Sequence, residues 1–149
     1  RLFQVIREDP GLAYSIYSTP SLFADTGDLV ISAGLDTDKL EKTLRIIMCE
    51  LRRCTQSLPS RKELRRACDY LTGQIDLGLE STDNQMNWIG EQLLGYGKIF
   101  KPAELKHSLS AVRPSDVRDV ARQFFRPERL NLALVSPVKS TDNMKRLLN

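Results

Sequence analysis

The sequence predicts an α+β domain in which a small, mainly antiparallel or mixed sheet packs against helices in two layers. Three observations lead there. Two segments of alternating polarity come early, at residues 12–18 and 28–35. A run of segments with helical spacing follows, and a last alternating segment, residues 129–136, closes the chain. Strands grouped before helices indicate segregated layers rather than alternating α/β units. At 149 residues the chain is read as one partial domain spanning 1–149, long enough to bury a core. Three strands under helices make a poor independent unit. A first strand and helix are therefore expected upstream of Arg1, a reading that fits the absence of an initiator methionine.

The elements follow in order. Residues 1–7 read as a helix end with Leu2, Phe3 and Ile6 on one side, broken by Asp9-Pro10-Gly11. Over residues 12–18 Leu12, Tyr14 and Ile16 alternate with Ala13, Ser15 and Tyr17, the period of two of a strand. Residues 19–27, with Pro20, Asp25 and Gly27, read as a turn-rich link, and residues 28–35 as a second, antiparallel strand. Asp36 or Thr37 is expected to cap a helix with the stripe Leu40, Leu44, Ile47, Met48 and Leu51.

Pro59 interrupts, and Ser60-Arg61-Lys62-Glu63 is a capping box opening a helix striped by Leu64, Ala67, Leu71, Ile75 and Leu79. After a polar break at residues 80–84, a third helix carries Met86, Ile89 and Leu93 and stops near Gly95-Tyr96-Gly97. Pro102 suits the first turn of a short helix, and Arg113-Pro114-Ser115 introduces another with Val117, Val120, Ala121, Phe124 and Phe125. Pro127 ends it. Leu130, Leu132 and Leu134 then predict a buried strand over 129–136, and a short helix is expected after Thr141.

Composition excludes several functions. No stretch approaches the roughly 18 apolar residues of a membrane span, so none is expected. Net charge is +3, and the basic cluster Arg61, Lys62, Arg65, Arg66 is interrupted by Glu63, with no aromatic side chain interleaved for base stacking. It reads as a solvated helix face, and no nucleic-acid partner is expected. Cys49, Cys54 and Cys68 match no zinc-finger spacing and read as free thiols in a reducing compartment. The single histidine, His107, rules out the paired histidines of a catalytic zinc motif and reads as an exposed helix residue.

One constellation remains. Arg7 ends the first helix and Tyr14 stands seven positions later in the next strand, across a short Pro-Gly turn. A guanidinium and a phenol aimed at one point are donors suited to a peptide carbonyl or a developing oxyanion. Taken by itself the pair also admits a plainer reading. Arg7 could pair with Glu8, Asp9 or the helix C-terminus, and Tyr14 could be a core tyrosine beside Leu12 and Ile16.

The segment Arg1-Leu2-Phe3-Gln4-Val5-Ile6-Arg7-Glu8, with Gly11-Leu12-Ala13-Tyr14-Ser15, resembles the second-half signature of the pitrilysin/insulinase superfamily of metallopeptidases, in its mitochondrial-processing-peptidase-like group. Gly90-Glu91-Gln92-Leu93-Leu94-Gly95-Tyr96-Gly97 and Val112-Arg113-Pro114-Ser115-Asp116-Val117 extend the likeness through the chain. The resemblance implies the C-terminal portion of a zinc-free peptidase half-domain. Such a half faces a zinc-bearing N-terminal half or subunit around a closed chamber that receives peptide substrates. It implies Arg7 and Tyr14 as the catalytic residues of this half, Tyr14 donating to the scissile carbonyl and Arg7 holding the substrate main chain. Zinc would lie in the partner half, with no metal or cofactor ligand here, and the chain alone would be inactive. A catalytically dead scaffold of the same fold is the alternative. An open sheet edge on such a unit also favours association, including with a second copy of the chain. Asp9-Pro10 departs from the charged residues usual in the family and stiffens the turn.

Overall fold

A computed structural model describes residues 1–8, 11–138, 140 and 142–148. The chain forms two compact units, Arg1–Ser57 with Asp119–Asn149, and Leu58–Arg118. The fold is α+β and mostly helical, with one antiparallel sheet of two strands among the described residues.

In the first unit a π-helical turn, Phe3–Glu8, precedes strands β1 (Ser15–Leu22) and β2 (Gly27–Gly34). The strands pair from Ser15 opposite Gly34 to Leu22 opposite Gly27. Gly27 is required at the hairpin end, because a Cβ there would lie 2.8 Å from the carbonyl oxygen of Ser21. The strand runs through Pro20, where the sequence predicts a link. The Phe23 amide donates to the Thr26 carbonyl at 2.9 Å, which marks that pair as hydrogen-bonded. Bonded pairs alternate along an antiparallel ladder. Pro20 opposite Leu29 is therefore a non-bonded pair, and the missing N–H faces the outer edge where no ladder bond is lost.

A 3-10 turn, Thr37–Lys39, leads into α1 (Leu40–Gln56). The expected stripe on α1 serves two clusters. Ile47, joined by Ile46 from outside that stripe, packs on Ile6, Leu12, Ala13 and Ile16 and ties the π turn and hairpin to the helix. Leu44 and Met48 instead join Met144 of α6 (Asp142–Leu148), with Leu40, Leu51, Leu130, Leu134 and Val138 around them. Arg122, near the end of α5 (Pro114–Phe124), donates from Nε to the Thr55 carbonyl at 2.9 Å, and Ala121 beside it is buried.

The closing segment departs from expectation. Residues 129–136 form no strand; a 3-10 turn, Pro127–Arg129, is followed by irregular backbone. Leu130 and Leu134 still reach the α1–α6 cluster, whereas Leu132 is 39% exposed and Val135 wholly exposed. Alternation places side chains on two sides, but a strand also needs a neighbour for its backbone, and none pairs here among the described residues. The expected Asp9-Pro10 break and Thr141 boundary fall partly outside the described residues.

The second unit holds α2 (Arg61–Gly78), α3 (Thr82–Tyr96), α4 (Pro102–Ser110) and the start of α5. Its helix ends follow the sequence closely. Ser60 Oγ accepts from the Glu63 amide at 3.2 Å and Ser81 Oγ from the Asn84 amide at 3.1 Å. Gly97 closes α3 in the left-handed region at φ 67°. Pro102 opens α4, on which His107 is exposed. The basic cluster on α2 is solvated, with Arg65 3.9 Å from Asp69. Cys68 is half-buried, its thiol reaching the Leu109 carbonyl at 3.4 Å. No helix among the described residues is long and apolar enough to cross a membrane.

Candidate functional site

Arg7 and Tyr14 lie on either side of a bend closed at its base by the Leu12 amide donating to the Ile6 carbonyl at 2.8 Å. Ile6 is completely buried and Leu12 nearly so, so the bend is pinned to the core by the residues just inside it. The turn carrying Arg7 is π-helical, a rare geometry that recurs at functional sites. Arg7 is exposed, and its guanidinium stacks over the Phe3 ring at 5.0 Å from the centroid.

Tyr14 departs from the expected alternation. Leu12 and Ala13 are both buried, the chain bends at Tyr14, and the strand begins only at Ser15. The ring is consequently 68% exposed instead of sharing the core face of Leu12 and Ile16. Its amide donates to the Gly34 carbonyl at 2.8 Å, which ties it to the end of β2. Arg7 and Tyr14 are thus both solvent-facing on one short segment, and each engages a different partner.

The partner of Tyr14 is a residue that sequence reasoning assigned elsewhere. Asp36 makes no side-chain cap to the 3-10 turn. Its Oδ1 accepts from the Tyr14 hydroxyl at 2.6 Å, and its Oδ2 takes a charged hydrogen bond from Lys39 Nζ at 3.1 Å. Donation to the carboxylate holds the Tyr14 proton and raises the phenol above its ordinary 10.0. The same bond, followed by that from Lys39, lowers Asp36 below its ordinary 3.8, and Asp36 in turn raises Lys39. A protonated phenol on an ionised, cation-braced carboxylate is a donor held ready in a fixed place. Only the position of Asp36, between the end of β2 and the 3-10 turn, hinted at this use; the contact spans 22 residues of sequence.

The residues present do not fit a zinc site. There is one histidine, and among the described residues no three His, Cys, Asp or Glu side chains gather where a metal could be held.

A family model described as the peptidase M16 inactive domain matches residues 1–71, the part containing Arg7, Tyr14, Asp36 and Lys39. The chain is 37% identical over 139 residues to an uncharacterized zinc protease of Streptomyces coelicolor, covering 93% of this chain and 30% of that protein. It is 38% identical over 137 residues to an uncharacterized zinc protease of Bacillus subtilis, covering 92% and 33%. The chain thus spans about a third of the length of these relatives. Its fold is also that of a chain in complex III2 from Candida albicans, at a TM-score of 0.72 and 19% identity over 83% of this chain and 29% of that one. A conserved protein from Enterococcus faecalis gives 0.68 and 23% over 82% and 28%.

Proposed function

Because this chain belongs to the M16 peptidase family, through the inactive domain matched at residues 1–71, we propose that it is the non-metal half of a zinc-dependent endopeptidase. In this reading it supplies Arg7 and Tyr14 to peptide-bond hydrolysis in a chamber shared with a zinc-bearing half, and is inactive alone. The relatives in Streptomyces coelicolor and Bacillus subtilis, named as zinc proteases, support this assignment. The metal would be held by the partner half, where it would polarise the scissile carbonyl.

The observation carrying the proposal is the exposed Tyr14 hydroxyl braced by Asp36 and Lys39. Its proton is held by Asp36 when substrate is absent, and donation to a tetrahedral oxyanion requires the phenol to turn from carboxylate to substrate. The oxyanion is the more basic acceptor, so the exchange runs forward as charge develops, which is when a donor accelerates reaction. Arg7, released from the Phe3 face, would hold substrate carbonyl groups through its forked donors. Asp36 acts as a positioning residue, keeping the phenol protonated and near its target.

In the intact protein, Tyr14→Phe and Arg7→Ala are expected to lower peptide turnover by about one to three orders of magnitude with little change in melting temperature. Steady-state kinetics on an unfolded peptide check this, and wild-type turnover in both variants would leave only the scaffold reading.

A further inference from the structure

On the first unit, a groove of about 520 Å³ lies between α1 and α6. Its floor is apolar, formed by buried Met48 and half-buried Leu147. Four guanidinium groups line it: Arg45, Arg52 and Arg53 from α1, and Arg146 from α6. Helical spacing explains the gathering, since positions 45 and 52 are two turns apart on one side of α1. The packing of Met144 and Leu147 on α1 brings Arg146 to the same groove. Two charges are already compensated. Arg45 lies 3.0 Å from Glu41 and Arg53 3.5 Å from Glu50. Arg52 and Arg146 form no ion pair among the described residues, and no carboxylate lines the groove.

We propose that this groove binds the phosphate group of a small phosphoester, with the ester's apolar part resting on Met48 and Leu147. The chemistry narrows the ligand in three steps. Paired guanidinium forks match phosphate oxygens in a way lysines do not. Two uncompensated cations match a phosphate, which carries close to two charges at neutral pH, and would leave one cation unmatched by a carboxylate. The volume suits a small molecule better than an extended peptide. The site is independent of Arg7 and Tyr14 and does not rest on the peptidase reading.

Isothermal titration of the intact protein with phenyl phosphate, benzoate, inorganic phosphate and hexaglutamate tests the assignment. Saturable phenyl phosphate binding is expected, weakened at least about tenfold in Arg52→Gln/Arg146→Gln and unchanged in Tyr14→Phe. Benzoate and inorganic phosphate should both bind more weakly than phenyl phosphate. Absence of saturation, or equal binding by the double variant, would overturn the site. Tighter binding of benzoate or hexaglutamate would overturn the phosphate assignment, and equal binding of inorganic phosphate would overturn the role given to the apolar floor. Both arginines are exposed, and matching circular dichroism of variant and wild type secures the comparison.

Discussion

In Arg1–Ser57 with Asp119–Asn149, eight apolar side chains are buried, from Ile6 to Met144, whereas in Leu58–Arg118 the one buried side chain among the described residues is Gln92. The first region is held by contacts between residues far apart in sequence: Ile6 with Ile16, Met48 with Met144, Tyr14 with Asp36. The second buries little, joins α2 to α4 through Lys106 with Asp76 and the Cys68 thiol with the Leu109 carbonyl, and relies otherwise on short-range devices. Serine caps open α2 and α3, Gly97 closes α3, and Gln92 accepts the Phe100 amide at 2.6 Å. Asp116 takes bonds from both the backbone and side chain of Arg113. Stability that comes from tertiary packing is lost cooperatively, while stability that comes from local devices is lost piece by piece.

The largest expected effect tests this contrast directly. Met48→Ala should cost about 2–5 kcal/mol, because it opens a cavity beside Leu44 and Met144. Leu94→Ala, on a side chain 90% exposed, should stay within about 0.5 kcal/mol. Urea unfolding of both variants measures the difference, and similar costs would erase the distinction.

Smaller, and confined to the helical region, are the local devices. Gly97→Ala should cost about 1–2 kcal/mol, since alanine resists the positive φ found there. Ser60→Ala should cost about 1 kcal/mol by orphaning the Glu63 amide. Hydrogen exchange should report each loss in the adjoining helix, with amides of the first region unaffected. Loss of protection in α1 would mean that the two regions unfold together.

The same contrast accounts for what was legible in the sequence. Ser60 and Glu63, Pro102, Pro114 and Gly97 announce their helices because the physics of a helix end is contained within a few residues. The errors fall in the region built on distant contacts. Pro20 reads as a loop unless the side of the ladder it faces is known. Leu130, Leu132 and Leu134 alternate as a strand should, yet no neighbouring backbone pairs with them among the described residues. Asp36 reads as a cap because an acid before a helix usually is one, while its side chain bonds Tyr14, just ahead of β1, and Lys39. The bend that exposes Tyr14 is not legible in the sequence, since it depends on Leu12 and Ala13 being buried together.

The finest effect concerns pH. Asp36 is lowered by Tyr14 and Lys39, so its contribution is complete above the ordinary 3.8 and disappears as pH falls through the lower native value. Tyr14 is raised, so its share is complete below 10.0 and fades as pH climbs through the higher native value. Wild type and Asp36→Asn should therefore differ in unfolding midpoint across the neutral range and converge in strong acid. A gap undiminished in strong acid would mean that the carboxylate's charge contributes nothing to the contact.

Pro20 carries a consequence for how copies of this molecule meet. A two-stranded ribbon offers bare backbone along both margins, an invitation to open-ended stacking. Towards the end of β1 the proline leaves a carbonyl on any incoming chain without a mate, which discourages fibril growth from that margin; the outer margin of β2 carries no such block among the described residues.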